Sequence, residues 1–422
     1  MDFRPSASQQ ILVATARQFL AARCPIELVQ RLASDDRGFD PALWRGMAEL
    51  GWPGLLVPPE LGGSGGSLVD VVLLVEEMGR ACLPGPFIAS AVAATTALVA
   101  GGDSSLQKRV LPAMADGDRI ATLALVEERG SFDPDAIALA CEVPGRLSGE
   151  KLFVKDAHLA DDVIVAVRGS GDLTLLLVPV DRPGVARISL DASGGERLFA
   201  VTFDRAEVGA DDVIGAPGQG RVPLRTALSA GALARTAELV GAAQRVLELT
   251  VAHAKTRVQG GRPIGGHQAI QHACADLVRD VDASRALLYA AAWNAAEGDS
   301  RSATASPRRD EGGGLGGPAA RPPMSSVATA KAYAGEACLR VARRAHQIFG
   351  AISYCQEHPL HLFHKRMLAA RSDFGDAALH LESVARAIGL MAESRAPRRN
   401  VTRGRTSGRE ALGGSWRASC PG

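Results

Sequence analysis

Aromatic side chains are scarce: Phe, Trp and Tyr make up 4% of the 422 residues. Small apolar side chains bury less area each, so the core is expected to come from closely packed helices. An excess of one charge is also missing. Lys plus Arg number 47 and Asp plus Glu 46, a formal net charge of +1. That balance gives no global attraction to nucleic acid or to a membrane surface. No apolar run reaches the length of a membrane span. The seven cysteines, at 24, 82, 141, 274, 338, 355 and 420, form no CxxC pair. Their odd number, and a start (MDFRPSASQQ) without an apolar leader, point to reduced thiols in the cytoplasm. The Gly-rich LGGSGG lacks the Lys-Ser/Thr ending of a phosphate loop. His358, His361 and His364 have no matching carboxylate or thiolate shell, so no metal site is expected.

What is present is ordinary for a globular chain: 46% hydrophobic and 22% charged residues. Residues 7–33 read as helical, and 41–50 as a second helix with Asp40 before Pro41 as cap and first turn. The run GWPGLLVPPELGGSGG (51–66) is a loop that either positions something or merely connects. Helices follow at 68–80, 88–99 and about 105–115. Near 120 the pattern turns to strands: RIATLALVEE, KLFVKDA, DDVIVAVRG, LTLLLVPVD and RLFAVTFDRAEV, divided by Gly, Pro and Asp. From about 222 the 3.6-residue period returns in four helices, a bundle signature. The fold class is therefore α+β and mostly helical. A helical N-terminal domain (1–117) precedes a central antiparallel β domain (118–221) and a C-terminal four-helix bundle (222–394). The stretch 299–323 reads as an irregular insert, and 395–422 as a basic, disordered tail; from 396 onward it holds six Arg against one Glu.

This order, together with several local strings, resembles the acyl-CoA dehydrogenase family, nearest to its actinobacterial type. The strings are LGWPGLLVPPELGGSGG (50–66), LSGEKLFVKDAHLADDVIVAVR (147–168), LVGAAQRVLELTVAHAKTRVQGGRPIGGHQAIQH (239–272), MSSVATAKAYAGEACLRVARRAHQIFG (324–350) and QEHPLHLFHKRM (356–367). The resemblance implies non-covalent FAD, an acyl-CoA substrate oxidised at Cα–Cβ, and a homodimer, homotetramer or heteromer with a related chain. An electron-transferring flavoprotein is the implied acceptor. The chemistry needs a hydride acceptor, a polarised thioester carbonyl and a base beside the α proton.

Residue by residue, the resemblance assigns Arg257 to the FAD pyrophosphate, where a guanidinium forms paired charge-assisted bonds. The alternative is an Arg on a solvated helix end. Gln268 opens the next helix and faces the same cofactor, or serves as an interhelical amide. Gln347 and Gly350 match the family's Q-x-x-G-G-x-G string against the adenosine diphosphate of a neighbouring subunit's FAD, although its other glycines are here Ala351 and Ser353. Gly350 alternatively caps a helix. Val126 stands where the family has a Thr near the flavin, and Phe153 where it has a Trp; either Phe153 covers a flavin face or it fills the sheet core.

The family's catalytic Glu is missing. Its usual place is Gly375, and its alternative place on an earlier helix falls at Gly231. Asp376 is the nearest replacement as base, one residue along, although its position first suggests the N-cap of residues 377–394. Glu238 is a further carboxylate, expected to be solvent-exposed. These departures leave two readings: a dehydrogenase on a CoA thioester, or a non-catalytic or half-site subunit paired with a related chain.

Overall fold

The computed structural model describes residues 5–391 apart from 103, 170, 193–194 and 305–322; of residues 104, 298–304 and 323–324 only the backbone is described. The expected tail and residues 305–322 of the expected insert lie outside the described residues.

The N-terminal helices are α1 (Ala7–Arg23), α2 (Ile26–Ala33), α3 (Pro41–Glu49) and α4 (Leu68–Arg80). A fully buried π-helical turn, Ile88–Ala94, runs into α5 (Thr95–Gly101), and α6 (Ser104–Ala115) follows. The single helix expected over 7–33 is broken: Pro25 ends the first segment by N-capping α2 in an extended conformation. The cap at Asp40 is as expected, its carboxylate accepting from the N–H groups of Ala42 and Leu43 at 2.8 and 3.1 Å. The loop 51–66 folds back on itself, with Ser64, Gly65 and Gly66 donating to the carbonyls of Gly54, Val57 and Leu55.

The strands of the β region form two sheets. One has the order β1 (Ala121–Ala124), β3 (Asp162–Arg168), β4 (Leu173–Pro179), β7 (Val213–Ile214); the other is β2 (Gly145–Lys155), β6 (Leu198–Val208), β5 (Val185–Leu190). All pairs are antiparallel except β1 with β3, which run parallel, so the β region is mixed rather than purely antiparallel. β3 reads as an unbroken apolar run because both its faces are covered. Val163, Val165 and Val167 meet the second sheet, while Ile164 and Ala166 meet Leu98, Leu106 and Val110. β5 is an exposed edge strand, which is why VARISL carries little strand signal.

The C-terminal helices are α7 (Arg221–Thr256), α8 (Gln268–Thr304), α9 (Pro323–Phe349), α10 (Leu360–Ser372) and α11 (Ala377–Ala387). α8 extends through Thr304, so the first six residues of the expected insert are helical. The fourth bundle position is shared by α10 and α11, both packed on α9. The connector TRVQGGRPIGGHQ holds a small hairpin, Val258–Gln259 against Arg262–Pro263. Its two turn residues, Gly260 and Gly261, have φ of +62° and +77°, as a type I′ turn requires.

α7 is the centre of the molecule and is buried on nearly every side. Its crossing with α4 explains how a core poor in aromatics closes. A Cβ on Gly241 would lie 1.8 Å from the Glu76 carbonyl oxygen, and one on Gly79 2.2 Å from that of Glu238. The two backbones touch there, and only glycine permits it. Arg285 and Tyr289 of α8 then bind the Glu76 carboxylate at 2.9 and 2.7 Å. No helix among the described residues is long and apolar enough to cross a membrane.

Candidate active site

A cleft of about 620 Å³ opens between the second sheet and the α10–α11 junction. Val126, Phe132, Phe153, Leu198, Leu368 and Leu379 supply apolar walls, and Gly130 and Gly375 leave gaps in them. Phe153 sits at a β-bulge of β2 with φ +55°, and its side chain is 49% exposed in the cleft instead of filling the sheet core. A non-glycine residue with that backbone and an exposed ring is held there by its surroundings, a pattern concentrated at functional sites.

The cleft floor is a buried ionic network that the sequence reading missed. Lys155 pairs with Glu196 and, at 3.3 Å, with Asp373. Arg235 on α7 reaches Asp373 at 2.6 Å, Glu196 at 3.0 Å and Glu238 at 2.5 Å. Arg366 on α10 lies 3.4 Å from Glu238. Glu238, expected at the surface, is therefore buried and doubly paired; α7 is the central helix, so its polar positions face inward too. Burial pushes Glu196 up, but the charges of Lys155 and Arg235 prevail and hold it down at about 2. Three cations and three carboxylates balance within the network, so the floor carries no net charge. The only sequence signals were single charged residues at helical and strand spacing, which cannot reveal partners on other elements, such as Arg235 and Asp373, 138 residues apart.

The junction Asp373–Asp376 forms the wall opposite Phe153. Phe374 has φ +55° and Gly375 φ +102°. The Phe374 ring fills the space beside Gly231, where a Cβ would lie 2.5 Å from its Cε1. A Cβ on Gly375 would meet Leu379 Cδ2 at 2.8 Å and His380 Nε2 at 2.9 Å. Neither glycine has room for a side chain in this conformation. Asp376 lines the cleft and caps α11, its Oδ1 accepting from Leu379 N–H at 2.9 Å. His380 contacts the Phe374 carbonyl at 3.1 Å, and its burial, with the Lys331 charge, pulls it down to about 4.

The other candidates lie elsewhere. Arg257 ends α7, Gln268 opens α8, and Gln347 and Gly350 sit at the end of α9; all four are exposed. The His253 ring stacks on Phe349 at 4.4 Å, which places the ends of α7 and α9 together. Gly350 has φ +70° and open space around it, the conformation expected of a residue that stops α9. Arg257 follows Arg235 by 22 positions on one continuous helix, about 33 Å at 1.5 Å per residue. The structure thus brings Val126, Phe153, Gly375 and Asp376 together and sets Arg257, Gln268, Gln347 and Gly350 apart from them. None of the Arg257, Gln268 and Gln347 side chains has a hydrogen-bond or ion-pair partner among the described residues.

The cleft between sheet and bundle is walled by one exposed strained ring and glycine gaps; its floor charges pair with one another, although Glu196 Oε1, 3.0 Å from Arg235, makes no hydrogen bond. The fold class is helical, then β, then a helical bundle, with the cleft between sheet and bundle. Sequence profiles agree: that of the acyl-CoA dehydrogenase N-terminal domain matches residues 6–118, and that of the C-terminal domain residues 218–389. The chain is 31% identical to acyl-CoA dehydrogenase IpdE2 of Mycobacterium tuberculosis, over 86% of this chain and 91% of that one. Among solved structures it is similar to the ChsE4–ChsE5 complex from Mycobacterium tuberculosis, with a TM-score of 0.81 and 28% identity, covering 93% of this chain and all of the other. It is also similar to a variant of the Tcur3481–Tcur3483 steroid ACAD, with a TM-score of 0.76 and 25% identity over 91% and 98% of the two chains. The chain belongs to the acyl-CoA dehydrogenase family.

Proposed function

We propose that this chain is an acyl-CoA dehydrogenase-type oxidoreductase whose cofactor is FAD and which acts on the Cα–Cβ bond of an acyl-CoA thioester. The observation that carries this is the cleft with Phe153 exposed on one wall and Asp376 on the other. Bound FAD supplies the hydride acceptor. Val126 and Phe153, which line the cleft, would pack against the bound ring, and the apolar walls would exclude water. Asp376 takes the α proton. Arg257, Gln268, Gln347 and Gly350 would hold the diphosphate part of the FAD of an adjoining chain, since Arg257 stands about 33 Å along α7 from Arg235 in the floor network of its own cleft. Electrons then leave to an electron-transferring flavoprotein. Fatty-acyl and steroid side-chain thioesters are the substrate classes to test, and the likeness to a steroid ACAD favours the second.

A second reading follows from Gly375 and Gly231, which lack both a carboxylate and room for one. In it the chain is a half-site subunit. It lends scaffold and cofactor contacts, and a related chain brings the base. The likeness to a ChsE4–ChsE5 complex is in keeping with such pairing.

Anaerobic titration of the purified chain with acyl-CoA separates the two. Yellow protein that bleaches supports the first reading. Protein that gains colour and turnover only beside a related chain supports the second. Protein that takes up no flavin under either condition sinks both.

A further inference from the structure

Lys331 lies on α9, beneath the wall that carries Asp376. It is 1% exposed and is among the largest fully buried side chains of the molecule. Its Nζ donates to the carbonyl of Arg371 at 2.7 Å and to the carbonyl of Gly375 at 3.0 Å. The first acceptor is in the last turn of α10, where carbonyls lack helical partners; the second belongs to the left-handed residue of the junction. A lysine is seldom buried this deeply without a task, because its ammonium loses its hydration. Here it joins the end of one helix to the residue that precedes the cap of the next.

The junction needs such a tie. Two successive residues have positive φ, and one of them is Phe374, for which that backbone is strained. Asp373 is held from the other side by Arg235 and Lys155. His380 holds the Phe374 carbonyl. Lys331 holds the Gly375 carbonyl at 3.0 Å, and the His380 ring also reaches the Gly375 backbone. We propose that Lys331 is a positioning residue of the cleft: by fixing the Gly375 carbonyl it sets the direction in which Asp376 presents its carboxylate. This deepens the first functional reading and rests on it for the use of Asp376, but the geometry it asserts can be tested without turnover.

Burial draws Lys331 down to about 7, with Asp373 and Asp376 favouring its charge and Arg235 and Lys155 opposing it. The tie survives loss of that proton. A neutral amine keeps two N–H donors, enough for both carbonyls.

The test is amide hydrogen exchange on the full chain, read at Phe374, Leu379 and His380. Their N–H groups bond Asp373 Oδ1, Asp376 Oδ1 and the Asp376 carbonyl. Lys331→Met keeps length and apolar bulk without donors, and is expected to speed exchange at these three amides at least tenfold (about 1.4 kcal/mol) while the middle of α9 stays within threefold. Lys331→Gln restores two N–H donors and is expected to return exchange to within threefold of the wild type. Equal exchange in wild type and Lys331→Met overturns the proposal. So does acceleration spread evenly over α9, α10 and α11, which marks a merely structural role. Should Lys331→Met not fold, the wild type and Lys331→Gln decide: fast exchange at the three amides in the wild type, or exchange in Lys331→Gln more than threefold faster than in the wild type, ends it. A chain that never oxidises acyl-CoA but shows the expected exchange keeps this inference and loses the functional one.

Discussion

At the scale of single residues, Asp376 holds two roles that one substitution separates. Asn caps helices as well as Asp but cannot take a proton. Asp376→Asn is expected to leave thermal unfolding unchanged and to lower turnover by at least 10²-fold; unchanged turnover would remove Asp376 from the chemistry. Asp376→Ala should in addition cost about 1 kcal/mol, seen in urea unfolding. Lys331 offers a pH signature. Burial holds it near 7 when folded, against an ordinary value of 10.5. Between those values the unfolded chain binds the extra proton, so stability rises with pH across that window. The stability of wild type minus that of Lys331→Met should climb by up to about 1.4 kcal/mol per pH unit from pH 7 to 10, and stay flat below 7. A flat difference throughout would show that burial does not lower the proton affinity of Lys331. Restoring the family's Glu at Gly375 is not expected to restore catalysis, because Leu379 and His380 stand where its Cβ would go.

Among the elements, the α4–α7 crossing carries the sharpest expectation. Gly241→Ala pushes a methyl group into the Glu76 carbonyl and should destabilise the chain by about 3 kcal/mol or more in denaturant titration. Gly209→Ala, with open space around it and an extended backbone, is the neutral control. Element boundaries were legible where local chemistry sets them. The Asp40–Pro41 pair starts α3, and α4 was read with its full span, Leu68–Arg80. They were illegible where packing decides. The break at Pro25 is by contrast a local signal that reading 7–33 as one helix passed over, whereas β5 is too exposed to alternate. The hairpin at 258–263 is only two residues long on each side. The fourth bundle helix was read from the apolar stripe of α11 alone, and α10 was not read. Asp373, pulled inward by Arg235, and the left-handed Phe374 and Gly375 divide it from α10.

For the whole molecule, the six-residue ionic network joins the sheet region to the bundle and should dominate its response to acid. Glu196 is held at about 2 when folded against an ordinary 4.5. Its contribution is complete above about pH 4.5 and disappears as pH falls through about 2, so unfolding by acid should be late and steep. Arg235→Met leaves Glu196, Glu238 and Asp373 short of a buried partner. It should cost about 3–5 kcal/mol and move the acid transition to higher pH, followed by circular dichroism. The helix–sheet–bundle order and the FAD family were legible in the sequence, because hydrophobic period and short strings are local properties. So were Phe153 and Asp376 as cleft candidates, through position in those strings. Only the tertiary structure decided that Glu238 is inside, that Phe374 fills the place beside Gly231, and that Lys331 reaches Gly375. Each of those is a contact between residues distant in the chain, fixed by how closely glycine-bearing helices approach, and no local pattern encodes that distance.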